Sequence, residues 1–180
     1  RWLFPRLEKY APPLATRLFV QLFFTPLHYG FPDKEMEWIK KAEKSDLLVN
    51  GKRIQTYSWG KSGRPYVLFV HGWAGRATQF RKFFPALLEN EFRIVAFDGP
   101  AHGKSGGKRA TIIEFEKALR ELLEREGEPA CVVAHSFGGV VSLMGISNGL
   151  SIKKLINISS PSIGDKIIKT FLKAVNGTWL

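Results

Sequence analysis

The segment Ala134-His135-Ser136-Phe137-Gly138-Gly139 carries the strongest chemical signal in the chain. It joins an apolar run, Ala130 to Ala134, that reads as a strand to Phe137–Asn148, which reads as a helix. A serine on a sharp strand-to-helix turn stands clear of the backbone at the C-terminal edge of a sheet, placed to act as a nucleophile. Such a turn crowds the positions two before and two after the serine. Gly138 meets that demand, and Ala134 stands where glycine is commoner, one methyl group larger. The following helix N-terminus adds partial positive charge where an oxyanion would form. Without chemistry, the same pattern is only a turn built from small residues.

Two further segments belong to the same edge. His71-Gly72-Trp73 ends the apolar run Tyr66–Val70. A loop there faces the same crevice as Ser136 and can direct a backbone N–H at a reacting carbonyl oxygen. The Trp73 and Phe137 N–H groups are therefore the candidate oxyanion hole. His71 has two readings, a catalytic base or a ring that holds the loop, and the second is preferred. Asp98-Gly99-Pro100-Ala101-His102-Gly103-Lys104-Ser105 follows the run Phe92–Phe97. Its Gly103-Lys104-Ser105 looks like the end of a phosphate-binding loop, which needs a glycine five residues earlier. That position is Asp98, whose carboxylate would repel phosphate, and Pro100 lacks an N–H for a phosphate cradle.

Taken in order, the three segments resemble the α/β-hydrolase superfamily. There a strand-end His-Gly, an Asp-x-Pro-Gly-His-Gly-x-Ser loop and a Gly-x-Ser-x-Gly elbow follow one another. Here Ala101 and Ala134 replace two of those glycines. The resemblance covers residues 47 to 162. The stretch His71-Gly72-Trp73-Ala74-Gly75-Arg76 is similar to an uncharacterised bacterial, esterase-like branch. The resemblance implies acyl transfer to water from a small-molecule carboxylic ester or related acyl compound, through an acyl-enzyme on Ser136. It implies no metal and no organic cofactor. His71, Gly72, Asp98, His102, His135 and Gly138 are then residues that support the motifs.

The same resemblance sets the order serine, acid, histidine. The histidines are His28, His71, His102 and His135, and none follows Ser136. The triad histidine is thus expected outside the chain, and Asp165 is a candidate for the acid. The chain is expected to be the N-terminal two-thirds of a hydrolase, truncated before the last strands and inactive alone. The alternative is a non-catalytic α/β-hydrolase-like binding protein or an inactive fragment.

The elements that must position these residues follow from patterning. Leu47-Leu48-Val49 and Arg53–Trp59 flank Asn50-Gly51, a pair that favours positive φ and so a hairpin. Strands are predicted at Tyr66–Val70, Phe92–Phe97, Ala130–Ala134 and Lys154–Ser159. Helical spacing covers Asp33–Lys44, Phe80–Leu88 with Pro85 near a helix start, and Ile163–Val175. Thr111-Ile112-Ile113-Glu114 is a capping box that opens a helix ending at Gly127. A hairpin followed by alternating strands and helices predicts a mostly parallel α/β sheet with helices on both faces. Three parts result: residues 1–44, an N-terminal helical extension; residues 45–162, the hydrolase core; residues 163–180, the start of a cap.

Composition narrows the partners. The 180 residues carry a formal net charge of +11, yet Lys and Arg are scattered and do not interleave with aromatics as in single-strand binders, so no nucleic acid is expected. A single cysteine, Cys131, excludes an internal disulfide and fits a reducing, cytoplasmic compartment. Leu14–Phe24 is too short and too polar to span a bilayer. Leu14, Leu18, Phe19, Leu22 and Phe23 share one helical face, suited to packing on the main domain or to weak contact with a membrane surface.

Overall fold

The computed structural model describes residues 3–162 and 164–177. Two N-terminal helices, α1 (Leu3–Tyr10) and α2 (Pro12–Phe23), precede α3 (Asp33–Lys41). The hairpin strands are β1 (Glu43–Val49) and β2 (Lys52–Trp59). Then come β3 (Tyr66–Val70), a 3-10 turn (Ala77–Phe80), α4 (Phe84–Glu89), β4 (Arg93–Phe97) and α5 (Ile112–Glu126). The chain continues through β5 (Cys131–His135), α6 (Phe137–Ser147), β6 (Leu155–Ile158) and α7 (Gly164–Val175).

The six strands lie in the order β1-β2-β4-β3-β5-β6. The hairpin is antiparallel and β2 meets β4 antiparallel. The β4-β3-β5-β6 block is parallel, as the strand-helix alternation predicts. Asn50 and Gly51 both hold positive φ, 50° and 72°, which matches the twist of the two strands they join.

Side chains alternate across the sheet and build two cores. Leu68, Val70, Val95, Phe97, Val132 and Ala134 face α5 and α6. Val67, Phe69, Ile94, Ala96 and Val133 face the other way, toward Ile39 of α3 and Phe80 and Phe84. Strands buried on both faces are solid apolar runs, and all of β3 is buried.

The capping box of α5 forms in full. Thr111 Oγ1 accepts the Glu114 N–H at 3.2 Å, and Glu114 Oε2 accepts the Thr111 N–H at 3.1 Å. This fixes the register that turns Phe115, Leu119, Leu122 and Leu123 into the core. Thr111→Ala is expected to lower unfolding free energy by about 1 kcal/mol, measured by urea denaturation.

Two local expectations are corrected. The helix predicted over Asp33–Lys44 stops at Lys41, and Glu43–Asp46 are strand, because they pair in register with Ser58 to Gln55. The helical stretch Phe80–Leu88 is a 3-10 turn and then α4, with Pro85 in its first turn. The N-terminal face is divided: Phe19 and Phe23 pack edge-on against Phe171 of α7, whereas Leu14 and Leu22 are exposed. Among the described residues no helix is long and apolar enough to cross a membrane. Ile163 lies outside the described residues, and α7 begins at Gly164.

Candidate active site

The parallel strands bring the three motif loops to one edge. β5 ends at His135, and Ser136 turns the chain into α6 with φ 51° and ψ −120°. A non-glycine residue in that conformation is strained and must be held by its surroundings. Ser136 N–H donates to the Ile158 carbonyl at 2.9 Å, which extends the β5–β6 ladder to the turn. The Ser136 carbonyl accepts the Gly139 N–H at 3.0 Å and the Ser160 hydroxyl at 2.8 Å.

The small residues are explained by what surrounds them. A β-carbon on Gly138 would lie 2.6 Å from the His71 carbonyl oxygen and closer still to that of Val70. On Gly72 it would lie 3.0 Å from Ser136 Cβ and 3.1 Å from His135 Nδ1. The His71-Gly72-Trp73 loop therefore lies directly against the serine turn. Asn157 and Ser160 leave no room for a side chain at Gly139. In the sequence these two supports are marked only by their place at the end of the strand beside β5.

Trp73 stacks edge-on against Phe137, with ring centroids 5.3 Å apart. Among the described residues, neither the Trp73 nor the Phe137 N–H donates to a protein acceptor. Both flank the turn, Phe137 as the first residue of α6.

His71 is fully buried. Its Nε2 accepts the Gly99 N–H at 2.8 Å, so the proton resides on Nδ1, which donates to the Gly72 carbonyl at 2.8 Å. Both nitrogens are occupied: the Nε2 bond ties the His71-Gly72-Trp73 loop to the Asp98 loop, and the Nδ1 bond lies within the former. Burial lowers its pKa from 6.5 to about 4. His102 donates from Nδ1 to the Pro100 carbonyl, and burial and the neighbouring His71 lower its pKa to about 3. Among the described residues its Nε2 is buried without a partner, as is His135 Nδ1. His28 is exposed. Among the described residues, the Ser136 hydroxyl has no hydrogen bond to a histidine. Asp165 is exposed in the first turn of α7, and no hydrogen bond or ion pair joins it to a histidine.

Asp98 organises the third loop. Its carboxylate accepts the Ala77 N–H at 2.8 Å, the Lys104 N–H at 2.8 Å and the Tyr57 hydroxyl at 2.9 Å. Burial pushes its pKa up, against the pull of these three donors. The loop thus closes on its own carboxylate rather than on a phosphate. Ala101, standing for glycine, is buried with φ 59°. A left-handed alanine costs about 1–2 kcal/mol, and the Ala101 N–H bond to Gly106 O at 2.9 Å helps hold it there.

The neutral histidines make stability pH-dependent. Unfolded His71 binds a proton near pH 6.5, whereas folded His71 does so only near pH 4. Its contribution is complete above about pH 6.5 and is lost as pH falls through that window. A shift of this size corresponds to about 3 kcal/mol. Urea unfolding from pH 7.5 to pH 4 is expected to show the loss. Asp98, with its raised pKa, works in the opposite sense. His71→Gln cannot titrate and should therefore reduce the decline by the share of His71, leaving the share of His102.

The chain matches the model of the alpha/beta hydrolase family over residues 67–178. It is 33% identical over 101 residues to an uncharacterized hydrolase, YugF, of Bacillus subtilis, covering 54% of this chain and 37% of that protein. It is 33% identical over 103 residues to a human serine hydrolase-like protein, covering 54% of this chain and 50% of that one. The fold is similar to an epoxide hydrolase of Vigna radiata, with TM-score 0.61, 24% identity, and coverage of 69% of this chain and 42% of that one. It is also similar to a thioesterase domain of the curacin biosynthetic pathway, with TM-score 0.61, 23% identity, and coverage of 75% and 54%. The chain spans half or less of the length of these curated relatives. With a family match across most of its length and the three motif loops on one sheet edge, this chain belongs to the alpha/beta hydrolase family.

Proposed function

We propose that the protein is a serine hydrolase that acts on carboxylic esters or related acyl compounds through an acyl-enzyme on Ser136. The observation that carries this reading is the Ser136 turn, strained at φ 51° and packed against Gly72 of the oxyanion loop. Ser136 Oγ attacks the acyl carbonyl carbon. A general base takes the hydroxyl proton, and the carbonyl π electrons move to oxygen. The Trp73 and Phe137 N–H groups, free of protein acceptors among the described residues, stabilise that oxyanion. Collapse of the intermediate expels the alcohol with the proton, and water then repeats the sequence to free Ser136 and release the acid.

Serine chemistry favours acyl substrates over epoxides. Attack on an epoxide carbon would leave an alkyl ether on Ser136, which water does not readily cleave, whereas an acyl ester turns over. The base is proposed to be a histidine outside residues 1–180. His71 has both nitrogens engaged, and none of the other three bonds to the serine hydroxyl. That same observation favours one second reading, a protein that binds acyl ligands without turning them over. A panel of p-nitrophenyl esters tests the proposal with the full-length protein. Hydrolysis that depends on Ser136 supports it; ligand binding with no turnover supports the second reading.

A further inference from the structure

The oxyanion loop is tied from outside the sheet. Gly75 N–H donates to the Gly72 carbonyl at 3.0 Å, closing a turn with Trp73 and Ala74 at its corners. Ala74 holds φ 55°, and a β-carbon on Gly75 would sit 2.9 Å from the Gly72 oxygen. The chain leaves this turn through Arg76 into the 3-10 turn. There it meets Glu35, a buried carboxylate contributed by α3.

Glu35 Oε2 accepts Arg76 Nε at 2.7 Å and Thr78 Oγ1 at 2.8 Å, and Oε1 faces Arg81 Nη1 at 3.4 Å. Arg76 Nη1 donates to the Tyr29 carbonyl at 2.8 Å, and its guanidinium lies 4.4 Å from the centre of the Phe31 ring. One carboxylate therefore fastens the exit of the oxyanion turn to the N-terminal segment. The segment in turn crosses the catalytic edge. Leu27, His28 and Tyr29 line a small cavity together with Ala74, Gly75, Arg76 and His102. A planar guanidinium with fixed donors holds such a geometry, whereas an ammonium would not.

We infer that Glu35 and Arg76 are positioning residues: they lock the Gly72–Gly75 turn, and with it the Trp73 N–H, in the geometry that stabilises the oxyanion. The inference rests on the serine-hydrolase reading above. It makes the N-terminal segment a working part of the site.

The test compares Glu35→Gln, Arg76→Lys and Glu126→Gln in the full-length protein. Glu126 is similarly buried and pairs with Arg93 at 2.7 Å, at the opposite end of the parallel strands from Ser136. Three readouts are needed: the second-order rate of Ser136 labelling by a fluorophosphonate, kcat and KM for a p-nitrophenyl ester, and Tm. Both site variants should label about ten-fold or more slowly, with kcat falling and KM changing less than about two-fold. The double variant should be no slower than the slower single one, because both act through one turn. Glu126→Gln should lose Tm yet label at the wild-type rate. Wild-type labelling in Arg76→Lys, the milder change, overturns the inference even if Glu35→Gln does not fold. Slowing that Glu126→Gln reproduces at equal loss of Tm also overturns it. A wild-type protein that takes no label overturns the hydrolase reading itself, and this inference with it.

Discussion

Ser136→Ala is expected to lower kcat/KM for ester hydrolysis by about 10⁴-fold or more, leaving affinity for a non-hydrolysable acyl analogue within about two-fold. The side-chain oxygen is the only heavy atom removed. The turn should survive, because its supports are backbone groups: the Ser136 N–H on Ile158 O and the Ser136 carbonyl under Gly139 N–H and Ser160. Alanine must still hold φ near 51°, as Ser136 does, so no new strain arises. What disappears is the nucleophile, and with it the acyl-enzyme. Initial rates on the ester panel and equilibrium binding of the analogue separate the two quantities. Equal loss of binding would indicate a disturbed pocket rather than a missing nucleophile. Turnover that survives would place the nucleophile elsewhere.

Phe115→Ala is expected to destabilise the fold by about 3–5 kcal/mol and to disable the site in the fraction that still folds. Phe115 is fully buried on α5. Its ring meets His71 at 5.2 Å, Phe97 at 5.5 Å, Phe137 at 5.5 Å and His102 at 5.6 Å between centroids. It therefore forms a floor shared by all three motif loops. It also explains Gly99, whose β-carbon would collide with the Phe115 ring. Deleting the ring leaves a cavity under both histidines, and water could then enter and hydrogen-bond the buried Nε2 of His102. Urea unfolding measures the energetic part. Fluorophosphonate labelling at a denaturant-free temperature well below Tm measures the site. Phe115→Leu, which retains most of the volume, should recover more than half of the lost stability.

The chemistry-bearing loops were legible because each is local. Asn50-Gly51 marks a hairpin, Thr111-x-x-Glu114 marks a helix start, and the small residues around Ser136 mark a crowded turn; each signal needs only neighbouring residues. Strand bounds came within one or two residues at β3, β4 and β5, whose double-sided burial makes solid apolar runs. The failures are long-range. Glu43 and Lys44 have no strand character of their own and become strand by pairing with Ser58 and Tyr57. The bounds of α1 within the N-terminal helical extension leave no sign of their own, although Phe4 is buried and its ring lies tilted 6.5 Å from that of Phe19. Phe115 could be assigned to a core face, but not to the space beneath the two histidines. Glu35 and Arg76 are 41 residues apart, and a charged pair at that separation leaves no periodic trace. Asp98 is legible as part of a loop motif, whereas Tyr57, the partner that crosses from β2, is 41 residues away and leaves no local sign.

The contacts of His71 favour the ring that holds the loop over the catalytic base. A base needs a free nitrogen and a pKa near neutrality, and His71 has neither. The two alanines that replace family glycines are accommodated differently. Ala134 lies in the β5 ladder opposite Val70, where a methyl group fits the pleat. Ala101 keeps the left-handed backbone that glycine would adopt freely, and so it carries strain.

The central claim is that Ser136 is an activated nucleophile. Incubating the full-length protein with a fluorophosphonate tests it most directly, because Ser136 Oγ would bond to phosphorus and release fluoride and the hydroxyl proton. Intact mass, followed by peptide mapping, reads the outcome. The expected result is one phosphonyl adduct on the peptide that contains Ser136. A folded protein with no adduct, or with the adduct on another residue, would contradict the account.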